Sequence, residues 1–396
     1  MRFHGTRPAL ERALRLAWRG HIAQHAPERR AGWRRGRRGP REEGYVVLRV
    51  GHAPMGPMLY VEVDDHGCWL RLPCRVAEAA PEGAAVTAPL RPLLRALRAL
   101  AAEEVAGALD ATGPLRLRAG AAVQEVPVRP APAAPLPLPA PPAEALPWRL
   151  DGAEVIEGLQ RVLPLAPWGQ VRLEWTGVQL RCLARAPGRL ALWRGAPWPE
   201  EARAWAGEGP WQLPLAWRAA GWLATGLAVV VDWWDLQLTL TGTVCQAWFA
   251  ARAWGAWARV PLLAPPALAS YARLLPAAHA WWTLVRREPL LLAAQAAVRG
   301  DPLRPVCLTL TDAGLAVAEL VDGDWRTVRV LESTPSWDPP RAAVTVNGGD
   351  LLAALRALPD RTVGLWRGAA AGAPLQLMGG PLDRPTWCLL DDLGGA

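Results

Sequence analysis

The chain has 396 residues, 44 arginines, no lysine and a net charge of +8, which allows two to four ordinary domains. With 51% hydrophobic residues it is not a disordered polyelectrolyte. Its most apolar run, Leu213 to Val231, is interrupted by Arg218, and no hydrophobic signal core stands at the start, so neither a membrane span nor a secretion signal is expected and the location expected is the cytoplasm.

Residue usage follows codon composition. There are 23 Trp but only 3 Tyr and 2 Phe. Residues with AT-rich codons are scarce and those with GC-rich codons abundant. The tryptophans are therefore read as core residues standing where Phe or Tyr would serve, rather than as a ligand cage. The cysteines at 68, 74, 182, 245, 307 and 388 form no CxxC pair. They are read as buried free thiols, with no metal, disulfide or cofactor implied.

In chain order, "PALERALRLAWRG" (8–20) predicts a helix with Arg12, Arg15 and Arg19 on one side and Leu10, Leu14 and Ala17 on another. "ERRAGWRRGRRGPREE" (28–43) follows, with seven arginines in sixteen positions and no apolar period. It includes Arg29, Arg30, Arg34, Arg35, Arg37 and Arg38, and its glycines and proline argue against a helix. "MLYVEVDDHGCWLRLPCRV" reads as strands, with a hairpin turn at Asp64–His66. "VTAPLRPLLRALRAL" (86–100) reads as a strand and then a helix bearing Arg91, Arg95 and Arg98. Residues 1–130 hold 21 Arg against 13 acidic residues, whereas the rest holds 23 against 23. All the excess charge lies in the first third.

The segment 86–100 returns as "VTVNGGDLLAALRAL" (344–358), with nine of fifteen positions identical. Halfway between, "WQLPLAWRAAGWLATG" (211–226) has a similar shape, read as a strand, a turn with proline and an apolar helix. Earlier helices precede each copy: 8–20, 151–166 and 288–300. Hairpins follow each copy, and "VDWWD" reads as a turn in the second. The expected fold is α+β, with three tandem similar domains at 1–130, 148–264 and 282–396. Their helices lie on one face of antiparallel sheets. A Pro/Ala-rich connector covers 131–147 and a second connector 265–281.

The arginine-striped helices and the arginine loop suit phosphate oxygens. Clustered positive charge at one end suggests a polyanion partner, nucleic acid or an acidic membrane surface, and nothing here offers base-edge readout, so binding would lack sequence preference and depend strongly on salt. The six histidines make no HExxH, and there is no Walker loop, GxSxG or GxGxxG. No catalytic constellation is found, so the chain is not expected to be an enzyme.

This organisation resembles the bacterial DNA polymerase III beta subunit, the sliding clamp. "VTVNGGDLLAALRAL" is similar to that family's third-domain strand–turn–helix. "GVQLRCLARAPGRLAL" is similar to a second-domain segment, keeping Leu180, Ala184, Arg189, Leu190 and Ala191. "WGAWARVP" keeps Arg259 and Val260. The resemblance implies a head-to-tail homodimeric ring around duplex DNA, associated with the nucleoid, that tethers a DNA polymerase and meets a clamp loader through short peptide motifs. It also implies a peptide groove formed by Trp168, Arg185, Gly188, Arg189, Leu190, Arg259, Val260, Leu389 and Leu390, ringed with positive charge by its three arginines. This sequence departs from the family's pattern at Arg185-Ala186-Pro187-Gly188 and at Leu390-Asp391-Asp392-Leu393, where Asp391 and Asp392 are expected to give one groove end an acidic rim. Polar Gln124 and Arg299 stand where the family has apolar ring contacts. A clamp-fold scaffold that does not close on DNA is the alternative implied by those departures.

Overall fold

A computed structural model describes residues 1–18, 44–65, 68–109, 113–131, 148–165, 169–207, 209–228, 230, 233–241, 244–263, 279–335, 343–358, 360–368, 372–381 and 384–393. The fold is α+β. Its seven described helices are α1 (7–18), α2 (Leu90–Ala99), α3 (Gly152–Val162), α4 (Glu200–Arg203), α5 (Trp217–Leu227), α6 (Arg287–Val298) and α7 (Gly348–Ala357).

The repeat is present in the elements themselves. Strand Ala85–Pro89 runs directly into α2, and strand Ala343–Asn347 runs directly into α7. Both boundaries are offset by the same 258 residues. Leu100 and Leu358 close the two helices in extended conformation, and each is fully buried. In the middle copy, strand Trp211–Ala216 leads into α5. The expected proline turn is absent there, because Pro214 lies inside that strand. The strand is at the edge of its sheet, where a missing N–H is tolerated.

The other helix of each copy also leads to a strand. Its start precedes the start of the next described strand from 7 to 45, from 152 to 170 and from 287 to 305. The first interval is 38 residues and the other two are 18. The first copy therefore carries about twenty additional residues, and the arginine-rich segment falls within that interval.

The chain divides into two compact units, 1–156 with 205–207 and 218–263, and 157–204 with 208–217 and 264–396. In the first unit a 13-stranded sheet holds the strands of residues 1–130. It continues through Cys68–Ala80 into Ala256–Pro261, Val244–Ala251, Trp233–Thr241 and Trp148–Asp151. "VDWWD" is corrected here: Trp233, Trp234 and Asp235 begin a strand, and residues 231–232 lie outside the described residues. The hairpin around Asp64 is present, with Asp65 paired to Cys68 and residues 66–67 outside the described residues.

In the second unit a nine-stranded sheet joins Trp211–Ala216, Gln170–Trp175, Leu180–Ala186 and Arg189–Arg194 to Thr386–Leu390 and the strands beyond it. A four-stranded sheet, Asp324–Leu331, Gly314–Val321, Pro305–Thr311 and Ala343–Asn347, lies under α6 and α7. The strands of the middle copy are thus shared between two sheets. Tryptophan fills the cores: Trp175, Trp193, Trp222, Trp234 and Trp281 are fully buried. Cys68, Cys74, Cys182, Cys307 and Cys388 are buried free thiols, and burial pushes Cys74 and Cys388 up to about 12. The side chain of Cys245 lies outside the described residues.

Candidate nucleic-acid interface and partner groove

α2 is amphipathic because its leucines recur every three or four residues. Leu90, Leu93, Leu94, Ala96 and Leu97 are buried, and Arg95 and Arg98 are exposed on the other side. α1 does the same: Leu10, Ala13, Leu14 and Ala17 are buried, while Arg12 and Arg15 are exposed. The two helices are linked through one acid. Oε1 of Glu11 accepts from Nε and Nη2 of Arg15 at 3.0 and 2.6 Å, and from Nε of Arg98 at 3.1 Å. Burial pushes the Glu11 carboxyl up, but the hydrogen bonds and charges of Arg98 and Arg15 outweigh it and hold the group below its usual value.

Two other arginines of this face are also held in place. Arg12 donates to the Ala228 carbonyl at 2.9 Å, and the Arg91 guanidinium lies 4.5 Å from the centre of the Trp18 ring. A side chain already fixed loses less entropy when it meets a ligand. Arg19, Arg29, Arg30, Arg34, Arg35, Arg37 and Arg38 lie outside the described residues.

A second group of expected site residues is assembled within the second unit. Strand Arg189–Arg194 pairs antiparallel with Thr386–Leu390, which puts Arg189 opposite Leu390 and Leu190 opposite Leu389. Asp391 N–H continues the pairing by donating to Gly188 carbonyl at 3.1 Å. Gly188 has φ +75, and a Cβ there would stand 3.4 Å from an Asp350 carboxylate oxygen. Arg189 Nε is 3.1 Å from Asp350 Oδ1. Burial raises the Asp350 carboxyl above its usual value; Arg189 opposes that and Asp391 adds to it. Arg185 is exposed, whereas Leu190, Leu389 and Leu390 are buried. Arg259 and Val260 belong to the first unit. There Arg259 lies 3.6 Å from Asp64 and packs over Trp248, and Val260 is fully buried. Trp168 lies outside the described residues.

No family model matches the chain, and no curated protein matches its sequence. Solved structures do match over its whole length. The DNA polymerase III beta subunit of Thermotoga maritima is 13% identical with a TM-score of 0.74, covering 98% of each chain. The chain has the sliding-clamp fold. The beta subunit of Pseudomonas aeruginosa has 17% identity and a TM-score of 0.69, with 99% of each chain covered. The sliding clamp of Bacillus subtilis has 13% identity and a TM-score of 0.68, covering 99% of this chain and 98% of that one.

Two expectations for a clamp-fold groove need correction. Neither Arg189 nor Arg259 is a free positive charge, because each has a carboxylate partner within its own unit. Asp392 does not form an acidic rim. Its side chain is 4% exposed, 3.4 Å from Arg367, and accepts from the Thr345 N–H at 3.1 Å. No local pattern signals these partners, because Asp350, Asp64 and Arg367 are distant along the chain. Glu11 was legible in part, since Glu11 and Arg15 stand at i and i+4. Its second partner Arg98 is 87 residues away. Among the described residues no helix is long and apolar enough to cross a membrane, and no group of His, Cys, Asp and Glu could hold a metal.

Proposed function

We propose that the protein is a DNA sliding clamp: a non-catalytic tether that closes as a homodimer around double-stranded DNA and holds a DNA polymerase there. The observation that carries this reading is the full-length match to DNA polymerase III beta subunits, with the excess positive charge of the chain all in residues 1–130. The arginines serve as phosphate contacts, Arg12, Arg15, Arg91, Arg95 and Arg98 from the helices and the run from Arg29 to Arg38 from the additional segment. Binding is therefore independent of sequence and dependent on salt.

Peptide capture is the second part of the reading. A P. aeruginosa sliding clamp has been solved bound to griselimycin, which supports a ligand groove on this fold. In the second unit, Arg185, Gly188, Arg189, Leu190, Leu389 and Leu390 are the residues proposed to take the peptide. Polymerase and clamp-loader peptides would reach exposed Arg185 first.

Solution mass together with a low-resolution image tests the reading. A dimeric closed ring that is retained on circular duplex DNA and slides off linear DNA is expected. A monomer that is not retained on circles overturns it in favour of an open scaffold.

A further inference from the structure

Glu11 is the only acidic residue in the described part of α1, and α2 has none. It stands within the face proposed to meet DNA. Its side chain is 15% exposed, while Arg15 and Arg98 keep 56% and 55% of theirs accessible. Both guanidiniums converge on one oxygen, so a single carboxylate fixes an arginine on each helix. Helix stability alone gives little reason for this arrangement, since an i,i+4 pair on a helix surface contributes only about 0.2–0.5 kcal/mol and needs Arg15 only. Nor does a surface selected for the tightest grip on phosphates explain it, since an acid there subtracts charge.

We propose that Glu11 is a positioning residue that sets the strength of the DNA grip. It holds Arg15 and Arg98 at fixed points and offsets part of their charge, so that phosphates are met in register but released easily. The inference rests on the sliding-clamp reading. An incoming phosphate competes with the Glu11 carboxylate for the two guanidiniums, and because Arg has five N–H donors it need not displace the acid completely. Arg7, Arg12, Arg91 and Arg95 are the other charged groups on the described residues of the two helices; Arg7 and Arg12 donate to carbonyls, and the Arg91 guanidinium lies over the Trp18 ring. Glu11 is the one carboxylate carried by the described residues of α1 and α2, and through it this face is attenuated.

The test compares wild type, Glu11→Gln and Glu11→Asp on two duplexes of unrelated sequence, titrated with salt. Glu11→Gln is expected to steepen the log–log slope by about 0.9 to 1.8, one to two phosphates, and to tighten binding roughly eightfold per phosphate at 0.1 M salt. Glu11→Asp keeps the charge and is expected within about 0.5 of the wild-type slope. If Glu11→Gln does not fold, Glu11→Ala, which has the best helix propensity, gives the same reading. An unchanged slope with a lowered unfolding temperature overturns the proposal, because it makes Glu11 purely structural. Weaker binding by Glu11→Gln also overturns it. If wild type itself shows no salt-dependent duplex binding, the clamp reading fails and this proposal fails with it.

Discussion

The helix pairs α1/α2 and α6/α7 have the same construction and different surfaces. In both, the first helix begins with an arginine that ties down the end of the second. Arg7 donates to Leu100 carbonyl and its N–H to Glu103 carbonyl; Arg287 donates to Leu358 carbonyl and its N–H to Arg361 carbonyl. The shared parts therefore include the orphan carbonyls at a helix C-terminus, which must be satisfied wherever such a pair packs. The faces differ. α1 and α2 expose Arg12, Arg15, Arg95 and Arg98, whereas α6 exposes Glu288, Leu292, Gln295 and Ala296 and α7 exposes only Arg356, the counterpart of Arg98. The packing differs as well. Gly348 opens α7, where a Cβ would collide with Val298 and stand 2.7 Å from the Arg304 carbonyl. Its counterpart in α2 is the buried Leu90. A repeated backbone can thus keep its internal ties while each copy takes its own surface and its own helix spacing.

The largest expected effect tests the charge difference. Replacing Arg34, Arg35, Arg37 and Arg38 with Ala, in the additional segment of the first copy, is expected to flatten the salt slope by about 0.9 for each phosphate no longer neutralised. Four phosphates correspond to a weakening of about four-thousandfold at 0.1 M salt, equal for unrelated sequences. Fluorescence anisotropy measures it, and an unchanged slope would show that the segment does not meet the duplex.

The packing difference comes next. Leu90→Ala is expected to lose about 2–5 kcal/mol of stability by leaving a cavity. Gly348→Ala should also destabilise, by about 1–3 kcal/mol through overpacking, although Ala is intrinsically better in a helix by about 1 kcal/mol. Denaturant unfolding checks both, and a stabilising Gly348→Ala would mean that α7 can move away from Val298.

The shared tie predicts similar costs in the two copies. Arg7→Ala and Arg287→Ala each leave a partly buried carbonyl short of a donor, for about 1–3 kcal/mol. Unequal values, read from the same unfolding curves, would show that the two ties are not equivalent. The smallest effect belongs to α7, where the Asn347 side chain accepts from Asp350 N–H at 3.1 Å and Pro89 offers α2 no such cap. Asn347→Ala is expected to cost about 1 kcal/mol. Acid should act on the first pair in its own way. Glu11 is held below its usual value, so its contribution to stability is complete above the unfolded pKa and is lost as pH falls through the lower folded one. A pH series of unfolding temperatures for wild type and Glu11→Gln should converge at the acid end.

Local pattern alone made much of this protein legible. The identical residues of 86–100 and 344–358 located two strand–helix units at the same offset as the structure, because leucine spacing fixes which face of a helix is buried whatever it packs against. The arginine stripes followed from the same periodicity, and the buried thiols from their apolar, strand-like surroundings. Tertiary structure alone decided which charges remain available. Arg189 meets Asp350, Arg259 meets Asp64, Asp392 meets Arg367 and Arg98 meets Glu11, each across a long stretch of chain. Ion pairing depends on distance in space, which a one-dimensional pattern does not carry. The same holds for the division of the middle copy between two sheets, because strand pairing is made by backbone groups that every residue shares, and register and neighbour are chosen only when the faces pack.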